Sequence, residues 1–234
     1  GGDFSYLEGA LGVERPLTCS VGTPFDIPRQ TRLYMPDDLP DPSVDADAFY
    51  AATLGRIEAL LEATQGRALI LYTARKRASQ AAKHLDAWGR FPILHQERPS
   101  AELLERFRKE GPTVLLGTGF WEGIDVPGES LSCVIVVKLP FPPSDPVLDA
   151  EREEAEACGK DSFEAVLLPQ MLMKLRQGTG RLIRRSSDRG VIAILDPRAV
   201  TRSYSERIRE SFSDVPELGG FDAIRAFLDA TEAG

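Results

Sequence analysis

The sequence predicts an α/β domain built on a parallel sheet with helices on both faces. Apolar runs of strand length alternate with longer segments of helical periodicity between Ala68 and Leu116, the pattern of a parallel sheet with crossover helices. Two further runs, Leu131 to Val137 and Val191 to Leu195, are rich in Val and Ile, as strands buried on both faces are. The composition agrees: 234 residues, 42% hydrophobic and 27% charged, with no low-complexity tract, suffice for one large domain with a substantial core.

Taken in order, residues 1–45 read as a lead-in and connection. Prolines at Pro36, Pro40 and Pro42 with acids between them mark Leu33 to Val44 as a surface connection into a helix. Residues 46–234 then form the domain proper. Asp47 to Leu61 places Phe49, Leu54, Ile57, Leu60 and Leu61 at helical spacing, giving a helix with one face on the sheet. A strand over Ala68 to Tyr72, a helix over Ala78 to Trp88 and a strand over Phe91 to Leu94 follow. Next come a helix over Ala101 to Phe107 and a strand over Thr113 to Leu116. After Pro143 the sheet pattern is suspended while two helices pass, Pro146 to Cys158 and Phe163 to Arg176, before the Val191 strand. Phe221 to Leu228 closes the chain as a short amphipathic helix with no chemistry of its own.

Several function classes are disfavoured. No apolar stretch approaches the ~20 residues of a membrane helix, and the longest, around Leu131 to Leu139, is interrupted by Lys138. With no signal peptide visible, a cytoplasmic location and no membrane partner are expected. Cys19, Cys133 and Cys158 are too scattered for a disulfide framework or a metal knuckle, and His84 and His95 lack ligand spacing, so no metal is assigned to this chain. The net charge of −8 argues against a basic coat for nucleic acid. Charge is uneven, however: Lys174, Arg176, Arg181, Arg184, Arg185 and Arg189 face only Asp188 in their segment, a local positive patch suited to phosphates. The acidic run from Asp149 to Glu156 reads as a solvated helix face.

Chemistry concentrates in three strings. In Gln177-Gly178-Thr179-Gly180-Arg181-Leu182-Ile183-Arg184, two arginines a helical step apart follow glycines. Glycine allows close backbone approach, and planar guanidinium forks suit phosphate oxygens. In Gly117-Thr118-Gly119-Phe120-Trp121-Glu122-Gly123-Ile124-Asp125-Val126-Pro127-Gly128 the carboxylates Glu122 and Asp125 accept only, so a ribose hydroxyl or a neighbouring arginine suits them better than phosphate. In Leu69-Ile70-Leu71-Tyr72-Thr73-Ala74-Arg75 the polar residues Thr73 and Arg75 follow a buried strand, where open α/β sheets place their ligands.

In this order the strings resemble motifs VI, V and IV of superfamily 2 helicases, and motif V resembles that of the DinG and XPD branch. Lys138-Leu139-Pro140-Phe141-Pro142 resembles that branch's strand and proline turn, and Val21-Gly22-Thr23-Pro24-Phe25 its segment just after the first lobe. The resemblance extends from about Phe4 to the strand near Asp196, and is closer to DinG-type bacterial helicases than to the eukaryotic XPD type.

The resemblance implies a RecA-like fold and the second motor lobe of an ATP-dependent DNA helicase, moving 5′ to 3′ on single-stranded DNA in repair or replication. It makes residues 1–45 the connection from the first lobe. Arg181 and Arg184 would reach the γ-phosphate of ATP held with Mg2+ on the first lobe, and Gln177 would join them. Asp125, Glu122, Gly123 and Gly180 would serve the nucleotide. Thr73 would contact a phosphate of the strand with Arg75 beside it, unless Thr73 merely caps the next helix. Gly119 would let backbone approach DNA, and Phe120 and Trp121 would stack on bases or pack. Iron-sulfur ligands, where the family has them, belong to the first lobe. The chain carries neither a Gly-x-x-x-x-Gly-Lys-[Ser/Thr] phosphate loop nor the acidic box that holds magnesium, so it is expected to hydrolyse no ATP alone.

Two readings compete. Gly117-x-Gly119-x-x-x-Gly123 after a strand superficially resembles a dinucleotide-binding fingerprint, although its spacing is off by one and Pro127 comes too soon for the helix. The other is a non-catalytic DNA- or protein-binding module that keeps the lobe fold, against which the intact arginine pair counts.

Overall fold

The computed structural model of the protein describes residues 12, 17–19, 22–95, 100–122 and 131–230. Six strands form one parallel sheet: β1 (Thr31–Tyr34), β2 (Ala68–Leu71), β3 (Ile93–His95), β4 (Val114–Gly117), β5 (Cys133–Val136) and β6 (Gly190–Ile194). Their spatial order is β1-β6-β5-β2-β4-β3, and every pairing is parallel.

The uninterrupted apolar runs are explained by burial on both faces. Successive side chains of a strand point to opposite sides, so Leu69 and Leu71 of β2 join one core while Ala68 and Ile70 join the other. The first core takes Leu103 and Phe107 from α4 (Ala101–Lys109), and Met171 and Leu175 from α6 (Leu168–Thr179). The second takes Phe49, Ile57 and Leu60 from α2 (Ala46–Ala63), and Ala78, Ala81 and Leu85 from α3 (Arg75–Trp88). Helices therefore cover both faces, as the alternation predicts.

Local signals set the helix ends. The Asp45 carboxylate accepts from the Ala48 N–H to cap α2, and Ser100 caps α4 through the Leu103 N–H. Asp145 caps α5 (Pro146–Ala157), whose fixed-φ Pro146 opens the first turn. The acidic run lies on α5 and is largely exposed, with Leu148 the buried member of that helix. The helix expected over Phe163 to Arg176 starts with a π-helical turn, Phe163–Leu167, before α6. Pro169, in the first turn of α6, has no N–H to give to a carbonyl one turn back, and the widened turn precedes it.

One expectation is corrected. Leu33 to Val44 was expected as a surface connection, but Leu33 and Tyr34 are buried in β1, an edge strand paired with β6. Beyond β1, Leu33 exchanges backbone hydrogen bonds with Pro216 and Leu218, which covers part of the open edge. Four residues beside a proline cluster carry too little periodicity to betray a strand; its burial comes from β6, far along the chain. Three short helices also went unpredicted, α1 (Ile27–Gln30), α7 (Arg198–Thr201) and α8 (Ser205–Ser211). The final helix, α9, spans Phe221–Asp229.

Candidate functional site

The loops that leave the carboxyl ends of β2, β4, β5 and β6 meet at one edge of the sheet, where open α/β sheets bind ligands. Between them lies a cleft of about 580 Å³, whose lining includes Thr73, Thr118, Trp121, Lys138, Lys174 and Arg198.

Hydrogen bonds tie the three strings into one unit. The Trp121 indole N–H donates to the Tyr72 carbonyl at 2.8 Å, joining motif V to motif IV. The Arg181 guanidinium then donates to the Phe120 and Trp121 carbonyls, at 2.9 and 2.6 Å, joining motif VI to motif V. Its Nε donates to the Gln177 carbonyl at 3.2 Å. Arg181 is 7% exposed, and its pKa is held below the usual arginine value by burial and by the neighbouring Arg184, with Glu122 opposing. In this arrangement the forked, planar donor group is spent on backbone carbonyls.

Arg184 is placed differently. It is exposed, in a turn after α6 that an internal network fixes. The buried Asp188 carboxylate accepts from the backbone N–H groups of Arg184 and Arg185, both at 2.8 Å. The buried Gln30 amide donates to the carbonyls of Arg185 and Asp188, at 2.7 and 2.9 Å. The turn is thus held from within and from α1.

The glycines of motif VI answer to packing. A Cβ on Gly178 would lie 2.8 Å from the Trp121 ring and 2.9 Å from Leu71 Cδ1, so the helix can approach motif V only with glycine there. Gly180, assigned to nucleotide by resemblance, is the C-cap of α6, where a Cβ would meet the Arg176 carbonyl at 2.9 Å. For Gly178→Ala, about 1–3 kcal/mol of overpacking outweighs the gain in helix propensity. A net loss of about 1–2 kcal/mol is expected in denaturant unfolding, with a shift in Trp emission.

Phe120 and Trp121, open in sequence to stacking on bases or to packing, are packed. Phe120 is fully buried and Trp121 is 4% exposed, both in the first core. The rings anchor the loop, and Trp121 reaches the cleft only at its margin. Gly119 is half-buried in the bend after β4, Glu122 is exposed beside Arg181, and Gln177 is exposed on the last turn of α6. Gly123 and Asp125 lie outside the described residues. Thr118 to Glu122 form bends and irregular backbone, where a dinucleotide fingerprint requires the first turn of a helix.

Thr73 and Arg75 are both exposed. The capping alternative for Thr73 is not realised: the N-cap of α3 is Ala74, with no side-chain hydrogen bond to the first turn. Ala74 has no side chain to cap the helix, and Arg75 and Lys76 open its first turn beside Thr73.

Sequence reading missed a second anchor at the same edge. Asp196, fully buried after β6, accepts from the Leu139 N–H at 3.0 Å and takes both Nε and Nη2 of Arg198, at 2.9 and 2.7 Å. It joins the loops after β5 and β6. An Asp-Pro-Arg string directly after a buried strand was the available signal. Among the described residues no group of three or more His, Cys, Asp or Glu is placed to hold a metal ion, and no helix is long and apolar enough to cross a membrane.

Comparison with known proteins extends this picture. The helicase C-terminal domain family matches residues 57–215. The chain is 36% identical over 229 residues to the ATP-dependent DNA helicase YoaA of Escherichia coli strain K12, covering 97% of this chain and 36% of that protein. It is 35% identical over 234 residues to the ATP-dependent helicase DinG of Mycobacterium tuberculosis strain H37Rv, covering 97% of this chain and 35% of that protein. The chain thus spans about a third of the length of these relatives. In fold it is similar to an XPD helicase, with a TM-score of 0.65 at 15% identity over 93% of this chain and 41% of that one. It is also similar to Saccharomyces cerevisiae Dbp5 bound to RNA and ADP BeF3, with a TM-score of 0.54 at 18% identity over 86% of this chain and 46% of that one.

Proposed function

This chain belongs to the helicase C-terminal domain family, and on that premise we propose that it is the second motor lobe of a DinG-like, ATP-dependent DNA helicase. Its partners are a first lobe of the same polypeptide and single-stranded DNA. ATP and Mg2+ sit mainly on the first lobe, consistent with the lack of a phosphate loop in this sequence. Repair or replication is the setting, and movement runs 5′ to 3′.

The observation that carries the reading is the division of labour between two arginines. Arg181 is buried and holds motif V, whereas Arg184 is exposed in a turn made rigid by Asp188 and Gln30. Phosphoryl transfer asks a protein mainly for positioning and charge neutralisation. An exposed guanidinium on a rigid turn supplies both when the lobes close, so Arg184 acts as the finger on the γ-phosphate. Arg181 reaches the nucleotide through the geometry it imposes on motif V, and Gln177, on the adjacent turn, reads the same phosphate. On the strand side, the positive end of the α3 dipole, with Arg75 and Lys76 in its first turn, supports a phosphate contact by Thr73 and Arg75.

Single-strand-stimulated ATP hydrolysis tests the reading. The 234-residue chain alone is expected to show none, and a polypeptide carrying both lobes is expected to turn over ATP faster with single-stranded DNA present. Robust turnover by the chain alone would overturn the lobe assignment, and indifference of the two-lobe protein to DNA would overturn the strand contacts.

A further inference from the structure

The cleft at the carboxyl edge of the sheet has an electrostatic character that the rest of the chain lacks. Net charge is −8, yet among the described residues the cleft is lined by Lys138, Lys174 and Arg198 with no carboxylate. Neither lysine forms an ion pair with an acidic side chain among the described residues; Lys174 Nζ instead lies 5.9 Å from the Trp121 ring. Arg198 is aimed rather than free: Asp196 holds Nε and Nη2, and Nη1 has no hydrogen-bond partner among the described residues. A buried carboxylate that fixes two donors of a fork orients the remaining one.

One wall of the cleft is aromatic. Phe141, Phe163 and Tyr204 contact one another with ring centroids 5.4 to 5.9 Å apart, and Arg198 Cζ lies 5.9 Å from the Phe141 ring. Phe141 and Phe163 are only half-buried. Fixed cations beside partly open rings match a ligand with an anionic group joined to a flat, apolar one. A nucleotide is such a ligand, and stacking on aromatic side chains beside a cationic groove is a sequence-tolerant way to hold a strand.

We infer that this cleft seats one nucleotide unit of a single strand, with its phosphate on Arg198 and Lys174 and its base against Phe141. The inference rests on the strand-binding reading above and deepens it, adding Arg198, Lys174 and Phe141 to Thr73, which lines the same cleft. Asp196 is a positioning residue, acting through Arg198.

The test is fluorescence anisotropy of a labelled oligothymidylate with the two-lobe polypeptide, across a salt series and without ATP. Because Arg198→Gln strands the buried Asp196 charge and could unfold the domain, Lys174→Gln and Phe141→Leu are measured beside it. Each cation variant is expected to lower the slope of log affinity against log salt by about 0.7, the value for one phosphate contact on a single strand. Phe141→Leu is expected to weaken binding several-fold, to about tenfold, with the slope unchanged. Wild-type affinity and slope in folded Lys174→Gln and Phe141→Leu would overturn the cleft assignment while leaving the strand-binding reading intact. A wild-type protein that binds no oligothymidylate would overturn both. Displacement of the strand by free thymidine monophosphate, with the same dependence on Lys174 and Phe141, would reassign the cleft to a free nucleotide.

Discussion

Arg184→Ala, made in a polypeptide carrying both lobes, is expected to reduce kcat for ATP hydrolysis by about 10³- to 10⁵-fold, the range of an arginine finger. Folding should be unaffected, because the side chain is exposed and the turn is held through its backbone by Asp188. Nucleotide affinity should change little if, as proposed, the bulk of the triphosphate contacts lies on the other lobe. A fall in kcat with retained ATP binding and an unchanged melting temperature is the signature. Arg184→Lys should recover only a small part of the loss, because an ammonium cannot present two parallel donors. Unchanged turnover would remove Arg184 from the reaction.

Arg181→Ala, one helical step earlier, is expected to fail for a different reason. Its removal leaves the Phe120 and Trp121 carbonyls without their donors in a buried position. An unsatisfied buried acceptor costs about 1–3 kcal/mol, so a loss of about 3 kcal/mol is expected for the domain. For a chain of this size that corresponds to a fall in Tm of roughly 6–12 °C. Activity should fall as well, through disorder in motif V. The discriminating readout is thermal unfolding of the isolated chain, which reads stability apart from turnover. A melting temperature within a degree of wild type would show that the buried geometry is energetically idle, and would return Arg181 to the role of a second finger.

Much of the site was legible because its signals are local. Thr73 and Arg75 follow a strand recognisable from its apolar run, and the cluster from Lys174 to Arg189 stands out by charge alone. The corrections have a common cause. Phe120 and Trp121, which sit among glycines and an acid, leave stacking and packing both open in sequence, and the fold makes both core residues. The glycines of motif VI suggest a ligand, and the one at 178 is needed to clear Trp121. In each case the deciding partner lies tens of residues away.

The sequence by itself determined the α/β class, the six longer helices and five of the six strands, and the position and order of the three motifs. Periodicity, caps and turn residues act over a few residues, so they are readable without the fold. Only the tertiary structure decided that Thr31–Tyr34 is an edge strand, that Asp196 aims Arg198, and that two arginines of one motif have opposite fates. Arg181 is buried against carbonyls 60 and 61 residues upstream, and Arg184 is exposed. Burial of a guanidinium depends on which backbone acceptors the packed chain leaves unpaired beside it, a non-local quantity that two neighbouring arginines cannot encode in their spacing.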